Sequence, residues 1–250
     1  MTLAAIGATA CIVADLVHEG LGHGIASWLT GDRILSLSTV ALQNAYPNRI
    51  VSAAGTCANV AAGILSLLIL HRVHKLSPLA YFLWAFGGFN LFNVGYLTFS
   101  AFAGGGDWGN VISGLAPAWL WRLAMGLAGI TLYVISFRWL ASFVITFLNR
   151  GEISLSDRRR LVWPAYLAGG VVLTIAAAFN PISPSLILIS GIGASFGLNF
   201  GFLLLPGIVA TGERSAPGST THIPFSPGWL IISLVLSLVF VGVIGPGIQI

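Results

Sequence analysis

The chain is 250 residues long, 56% hydrophobic and only 7% charged, with a mean hydropathy of +0.93. A soluble surface needs roughly a quarter to a third of its positions charged, so a water-soluble globular domain is excluded; two cysteines and 31 glycines without a fixed period exclude disulfide scaffolds and collagen-like chains. The net charge of +4 arises from scattered residues, and nucleic-acid binding, which needs clustered Lys and Arg, is not expected: the one cluster, Arg158-Arg159-Arg160, flanks an apolar run and reads as a membrane anchor.

Continuous apolar runs of about 20 residues mark membrane-crossing helices, whereas a transmembrane barrel would show alternating strands of about ten. The runs fall near 2–30, 50–71, 78–104, 116–148, 162–180, 184–206 and 228–248. They predict an all-α polytopic membrane protein of about six to eight transmembrane helices, an integral membrane protein with the lipid bilayer as its surroundings. The N-terminal Met-Thr-Leu lacks the basic region of a cleaved signal peptide. Residues 31–49 are too polar to span, and the alternation from Ile34 to Leu42 predicts a short strand-like hairpin after the first helix. The remaining polar segments are 71–77, with His71, Arg72, His74 and Lys75, the charged 149–161, and the Pro/Gly/Ser-rich 207–227 with His222. With a cytoplasmic N-terminus, even-numbered loops hold seven Lys/Arg and odd-numbered loops two, Arg33 and Arg49, so the positive-inside rule favours that orientation. Gly193, Gly197 and Gly201 at four-residue spacing predict a close-packed helix face. Cys11 and Cys57 read as small buried hydrophobes.

Chemistry concentrates in the first run, at Asp15-Leu-Val-His18-Glu19-Gly-Leu-Gly-His23. Each charge at mid-membrane costs about 2.5–3.5 kcal/mol on insertion scales, so four ionisable groups within nine residues point to a functional site. A bound dication would offset the carboxylate charge and satisfy the imidazoles, and two imidazoles with a carboxylate suit zinc. The zinc-hydrolase pattern H-E-x-x-H puts its histidines on one helical face with the glutamate as base. Here an extra residue intervenes, and on a regular helix His18 and His23 would lie about 140° apart. A π-type turn would restack them, made cheap by Gly20 and Gly22 and leaving Glu19 free for proton transfer. Alternatively Glu19 and His23 form the ligand pair with Asp15 one turn earlier, or the cluster is a buried polar network without metal.

Three segments in order resemble the site-2 protease family of intramembrane zinc metalloproteases. His18-Glu19-Gly-Leu-Gly-His23 is similar to the family's H-E-x-x-H, and Ala54-Gly55-Thr56-Cys57-Ala58-Asn59 to its A-G-P-x-A-N. Gly104-Gly105-Gly106-Asp107-Trp108, after the asparagine-containing third run, stands where the family's Leu-Asp-Gly aspartate completes the zinc site. The 31–49 segment resembles its membrane-associated hairpin. The resemblance covers residues 10–115; it implies a three-helix metalloprotease core in 1–115, with 116–250 as additional helices of unknown role in one membrane unit. It implies Zn2+ held by His18, His23 and Asp107, Glu19 as catalytic base, and Asn59 with Asn93 (or Asn90) binding substrate. It further implies that the first span ends near the cytoplasmic face, whereas the basic-residue count puts that end outside.

Beside these expectations stand others read from the residues themselves. Asp107 could cap a helix, and the asparagines could bond between helices. His71 and His74 suit the interface, and Arg122 beside Trp119 and Trp121 suits snorkelling at an aromatic belt. The function expected is hydrolysis of peptide bonds in a membrane-embedded polypeptide, in a bacterial or archaeal cell membrane. The alternatives are a metal-ion transporter and a non-catalytic scaffold derived from a protease.

Overall fold

The computed structural model describes residues 1–46, 48–210, 221 and 223–250; His222 and most of the 207–227 segment lie outside these. In chain order the elements are α1 (Thr2–Thr30), β1 (Ile34–Leu37), β2 (Leu42–Asn44), α2 (Arg49–His71), α3 (Pro78–Phe92), α4 (Gly95–Ala103), α5 (Gly106–Ile112), α6 (Ala118–Asn149), α7 (Leu155–Ala178), α8 (Pro184–Ile208), α9 (Pro227–Ile244) and β3 (Ile248–Gln249). Six of them, α1, α2, α6, α7, α8 and α9, are long and apolar enough to cross a membrane. The chain is thus an all-α polytopic membrane protein.

The expected helix over 78–104 is broken. Between α3 and α4 the amides of Asn93 and Val94 donate to the carbonyls three residues back, at 3.3 Å each, and this tightened turn divides the pass. The pair still runs the length of the bundle. Tyr81 near the start of α3 donates to Leu161 O near the start of α7 (2.6 Å), while the chain beyond α4 reaches the hairpin end at Asp107. The last helix stops at Ile244 rather than 248, because Gly245-Pro246-Gly247 turns the chain with Gly247 at φ +84°. The freed residues form β3, an unexpected strand paired antiparallel to β1 (Leu37 opposite Ile248) in a sheet of order β2-β1-β3. The other end of α9 lies beside the N-terminus, where Ser226 N–H donates to Thr2 Oγ1 (3.1 Å).

α1 is the central helix and α9 a peripheral one: 67% of the apolar window of α1 is buried against 11% for α9. Lipid supplies no hydrophobic force between helices, so close packing must hold them. A side chain at Gly7 would overlap Ala165 Cα, which brings α1 and α7 into backbone contact. Around this crossing the core gathers Ile6, Ile12, Leu67, Tyr81 and Leu140, with Trp84, Phe89 and Phe92 ringing Phe202. The expected glycine face on α8 is not formed. Ile187–Gly197 is π-helical, so four-residue spacing no longer aligns one face, and of the three glycines only Gly201 meets another helix, at Phe92. Cys11 is buried as expected, but Cys57 is exposed on the outer surface of α2.

The hairpin is anchored to the end of α1. Asp32 accepts from Asn44 Nδ2 (3.1 Å) and from Tyr46 N–H (3.0 Å). Asn48 then starts α2, its side chain accepting from Val51 N–H (2.9 Å), the usual cap of an exposed helix start.

Candidate metal centre

Within α1, residues Val17–Gly24 are π-helical, between α-helical stretches Thr2–Leu16 and Ile25–Thr30. A π-turn pairs i with i+5, and that is the spacing of the two histidines. His18 and His23 therefore meet, with ring centroids 4.8 Å apart and planes at 84°. The neighbouring helix comes equally close. A Cβ on Gly22 would sit 2.6 Å from Gly55 Cα, and one on Gly55 would sit 2.6 Å from Nε2 of both His18 and His23. Glycine at 55 is what leaves the space in front of the two imidazoles open.

The second nitrogen of each ring is spoken for. Asn59 Nδ2 donates to Ala14 O (2.9 Å) and to Asn90 Oδ1 (2.7 Å), and Asn90 Nδ2 donates to Phe86 O (2.7 Å). Two main-chain carbonyls thus fix both amides, so Asn59 Oδ1 must be the acceptor in its 2.6 Å bond with His18. His18 Nδ1–H is the donor there. His23 Nδ1–H donates likewise to Val51 O at 2.7 Å. Both neutral rings then present an Nε2 lone pair to one point, the orientation that outer-shell partners impose on metal-binding histidines.

Asp107 arrives at the same point from α5. Trp108 Nε1–H donates to Thr56 Oγ1 (3.0 Å) and Arg49 donates to Ser113 O (2.6 Å), which together hold α5 against the start of α2. Asp107 is not the cap of α5, a place taken by Gly105. Its Oδ2 lies 3.2 Å from His18 Nε2 and 3.4 Å from His23 Nε2, and one ligand atom from each residue falls within 4.8 Å of the others. Three lone pairs pointed at one another repel unless protons or a cation lie between them. A tetrahedral centre with bonds of about 2.0–2.2 Å has ligand-to-ligand edges of roughly 3.4 Å, whereas an N–H···O bond prefers about 2.9 Å. The two separations to Asp107 therefore match the edges of a tetrahedral cation site, and this donor set could hold such an ion with one ligand position left over. When protons fill the gap instead, burial pushes the Asp107 carboxyl up, but the hydrogen bonds and charge of His18 and His23 outweigh it and hold it well below the usual carboxylate range.

Glu19 is not one of the three. It is buried, and its Oε2 accepts from Leu42 N–H of β2 at 2.8 Å. With His18, His23 and Asp107 it lines a cleft of about 500 Å³ walled by β2, Tyr96, Leu186, Ile189 and Ser190. Tyr96 stacks on His18 at 5.9 Å. The second half of the chain therefore walls the cleft through α8. Asp15 lies beyond this cleft, so it is no partner of Glu19 and His23 in a ligand set. Asn59, expected to meet substrate, is 1% exposed with its amide used up inside the protein; its position is behind His18. Asn90 supports Asn59 in turn. Asn93 ends α3 with its Oδ1 buried and does not line the cleft. His71 lies at the opposite end, edge-on to Phe143. Sequence reasoning missed Gly55 as the residue that clears the centre, although the glycine was visible in the Ala54–Asn59 motif. Nothing in the sequence alone pairs Trp108 with Thr56. Comparison with known protein families, with curated proteins and with solved structures found no match.

Proposed function

We propose that this chain is an intramembrane zinc metalloprotease of the site-2 protease type, cleaving peptide bonds of membrane-embedded polypeptides. The observation that carries the reading is the pair of Nε2-to-Oδ2 separations, 3.2 and 3.4 Å, in a site whose histidine Nδ1 atoms are both tied to acceptors. Zinc at His18, His23 and Asp107 would supply Lewis-acid polarisation of the scissile carbonyl and lower the pKa of water there to about 7. Glu19, in the same cleft, would accept a proton from the attacking water as the new C–O bond forms. It would return that proton to the leaving nitrogen as the C–N bond breaks. The outer edge of β2 borders the cleft, and an extended substrate segment would pair with it by strand addition. Leu42 N–H, bonded to Glu19, ties that edge to the base.

The test uses the purified full chain, its zinc content and cleavage of a transmembrane reporter peptide. Glu19→Gln should retain zinc and lose hydrolysis by at least a thousandfold. Unchanged hydrolysis removes Glu19 from the chemistry. Zinc uptake into proteoliposomes without any cleavage would establish a transporter instead, and a wild type that binds no zinc would leave only a scaffold.

A further inference from the structure

Among the described residues, six buried side-chain oxygens have no hydrogen-bond partner within the protein; two, Thr9 Oγ1 and Ser100 Oγ, lie elsewhere, and the other four are Asp15 Oδ2, Thr39 Oγ1, Asn93 Oδ1 and Asn199 Oδ1. All four of these residues line one small, partly open chamber of about 50 Å³ that adjoins the proposed substrate cleft. Thr39 and Asn199 are 1% and 6% exposed. The direction of Asn199 is fixed, because its Nδ2 donates to Ala194 O (3.1 Å) and Ser195 O (3.0 Å), carbonyls of the π-helical stretch of α8. Its Oδ1 is the end left for the chamber. Oxygens without donors inside a membrane protein are costly unless something fills their lone pairs. The chamber is polar and has room for roughly three to five water molecules at 10–15 Å³ each, and each water needs two to four polar partners. His18, Glu19, Tyr96 and Ser190 line both spaces, so the chamber abuts the cleft at the proposed base.

We propose that this chamber is a built hydration site, in which Asp15, Thr39, Asn93 and Asn199 hold a cluster of water against Glu19. Its second role, replenishing the water consumed at each peptide-bond cleavage, rests on the protease reading above. Hydrolysis removes one water per bond broken, and lipid around the bundle does not replace it. Asp15 thereby acquires a purpose that the metal ligands do not give it: it accepts hydrogen bonds from the cluster rather than binding metal.

Radiolytic hydroxyl-radical labelling of the full chain in nanodiscs reads bound water directly, since radicals born on an ordered water attack the nearest side chain. Phe89 lines the chamber at 4% exposure, while Phe92, at 0%, is buried in the core away from it. Phe89 should label at least tenfold faster than Phe92; equal rates overturn the proposal. Asn199→Leu and Asn93→Leu each replace an acceptor by apolar volume. In either variant that keeps its zinc and its melting temperature within a few degrees, Phe89 labelling should fall at least fivefold, and unchanged labelling overturns the proposal. A Phe89 rate that rises when choline replaces sodium and potassium would show an alkali cation there instead of water. The replenishing role requires hydrolysis to fall at least tenfold in the same variants, and intact hydrolysis with lost labelling refutes that role. If the wild type cleaves nothing, the protease reading fails, and the Phe89-to-Phe92 ratio still decides the chamber.

Discussion

Gly55→Ala tests the metal centre at its tightest point. The added methyl carbon would lie 2.6 Å from Nε2 of both His18 and His23, where ordinary contact begins at 3.4 Å. The rings would have to retreat by about 0.8 Å, against a tolerance of about 0.2 Å in metal–ligand distances. They have nowhere to go, since Asn59 and Val51 O hold them from behind at 2.6 and 2.7 Å. Zinc affinity should therefore fall at least a hundredfold, about 2.8 kcal/mol at 1.4 kcal/mol per tenfold. Gly20→Ala is the control: no neighbour lies within 4 Å of its Cβ position, so zinc should stay, with helix stability unchanged or raised by up to about 1 kcal/mol. Competition with a chelator of known affinity measures both variants, and thermal melting confirms that each is folded. A folded Gly55→Ala protein with wild-type zinc affinity would show that the ion, if any, is bound elsewhere.

Asn59→Leu removes the acceptor that fixes the His18 tautomer, and outer-shell losses of this kind cost about 10- to 100-fold in metal affinity. It also strands Ala14 O and Asn90 Oδ1, so melting temperature should drop with it; chelator competition and calorimetry read the two effects. Trp108→Phe and Thr56→Val break the same 3.0 Å bond, and each should weaken zinc binding by up to about tenfold through Asp107, with the double variant no worse than either single one. Protons compete with the ion for both Nε2 atoms. Zinc affinity should therefore fall as the pH is lowered, steepening towards a hundredfold per pH unit as two protons displace one ion; a pH-independent affinity would show that the histidines are not ligands.

Long apolar runs placed six helices, because desolvation over about 20 residues leaves little choice of structure. The break between α3 and α4 was hidden for the same reason: hydropathy is blind to a turn that keeps its backbone bonds in 3₁₀ form. The hairpin was legible from alternation between Ile34 and Leu42, whereas β3 was not, since two residues after Gly247 form a strand only because β1 offers an open edge. At the centre, residue type and spacing pointed to His18 and His23, and the resemblance of residues 104–108 to the family's aspartate segment pointed to Asp107. The asparagines were harder to read. Their carboxamides look alike in a sequence, and only the bonds of Asn59 to Ala14 O and Asn90 show that it braces His18. Asn199 was no easier, because its place beside a chamber depends on the π-helical course of α8.

The interval between the histidines carries a further consequence. In a regular α-helix, residues four apart lie about 40° from alignment and five apart about 140°, so the extra residue of His18-Glu19-Gly-Leu-Gly-His23 and the π-helical Val17–Gly24 are two faces of one fact. Deleting Gly20 should remove both together. The helix would close to α geometry, His18 and His23 would become an ordinary i, i+4 pair, and Gly22 would keep its place next to His23 and against Gly55. Gly20 has no neighbour to lose. The deletion should therefore keep zinc affinity within about tenfold of wild type, whereas deleting Leu37, outside the cluster, would shift the register of β1 against β2 and β3 instead. An α-helical Gly20-deleted protein, shown by its amide exchange pattern, that holds its fold yet binds zinc a hundredfold more weakly would refute the equivalence. The wide turn would then have to act by aiming the imidazoles, beyond merely absorbing one residue.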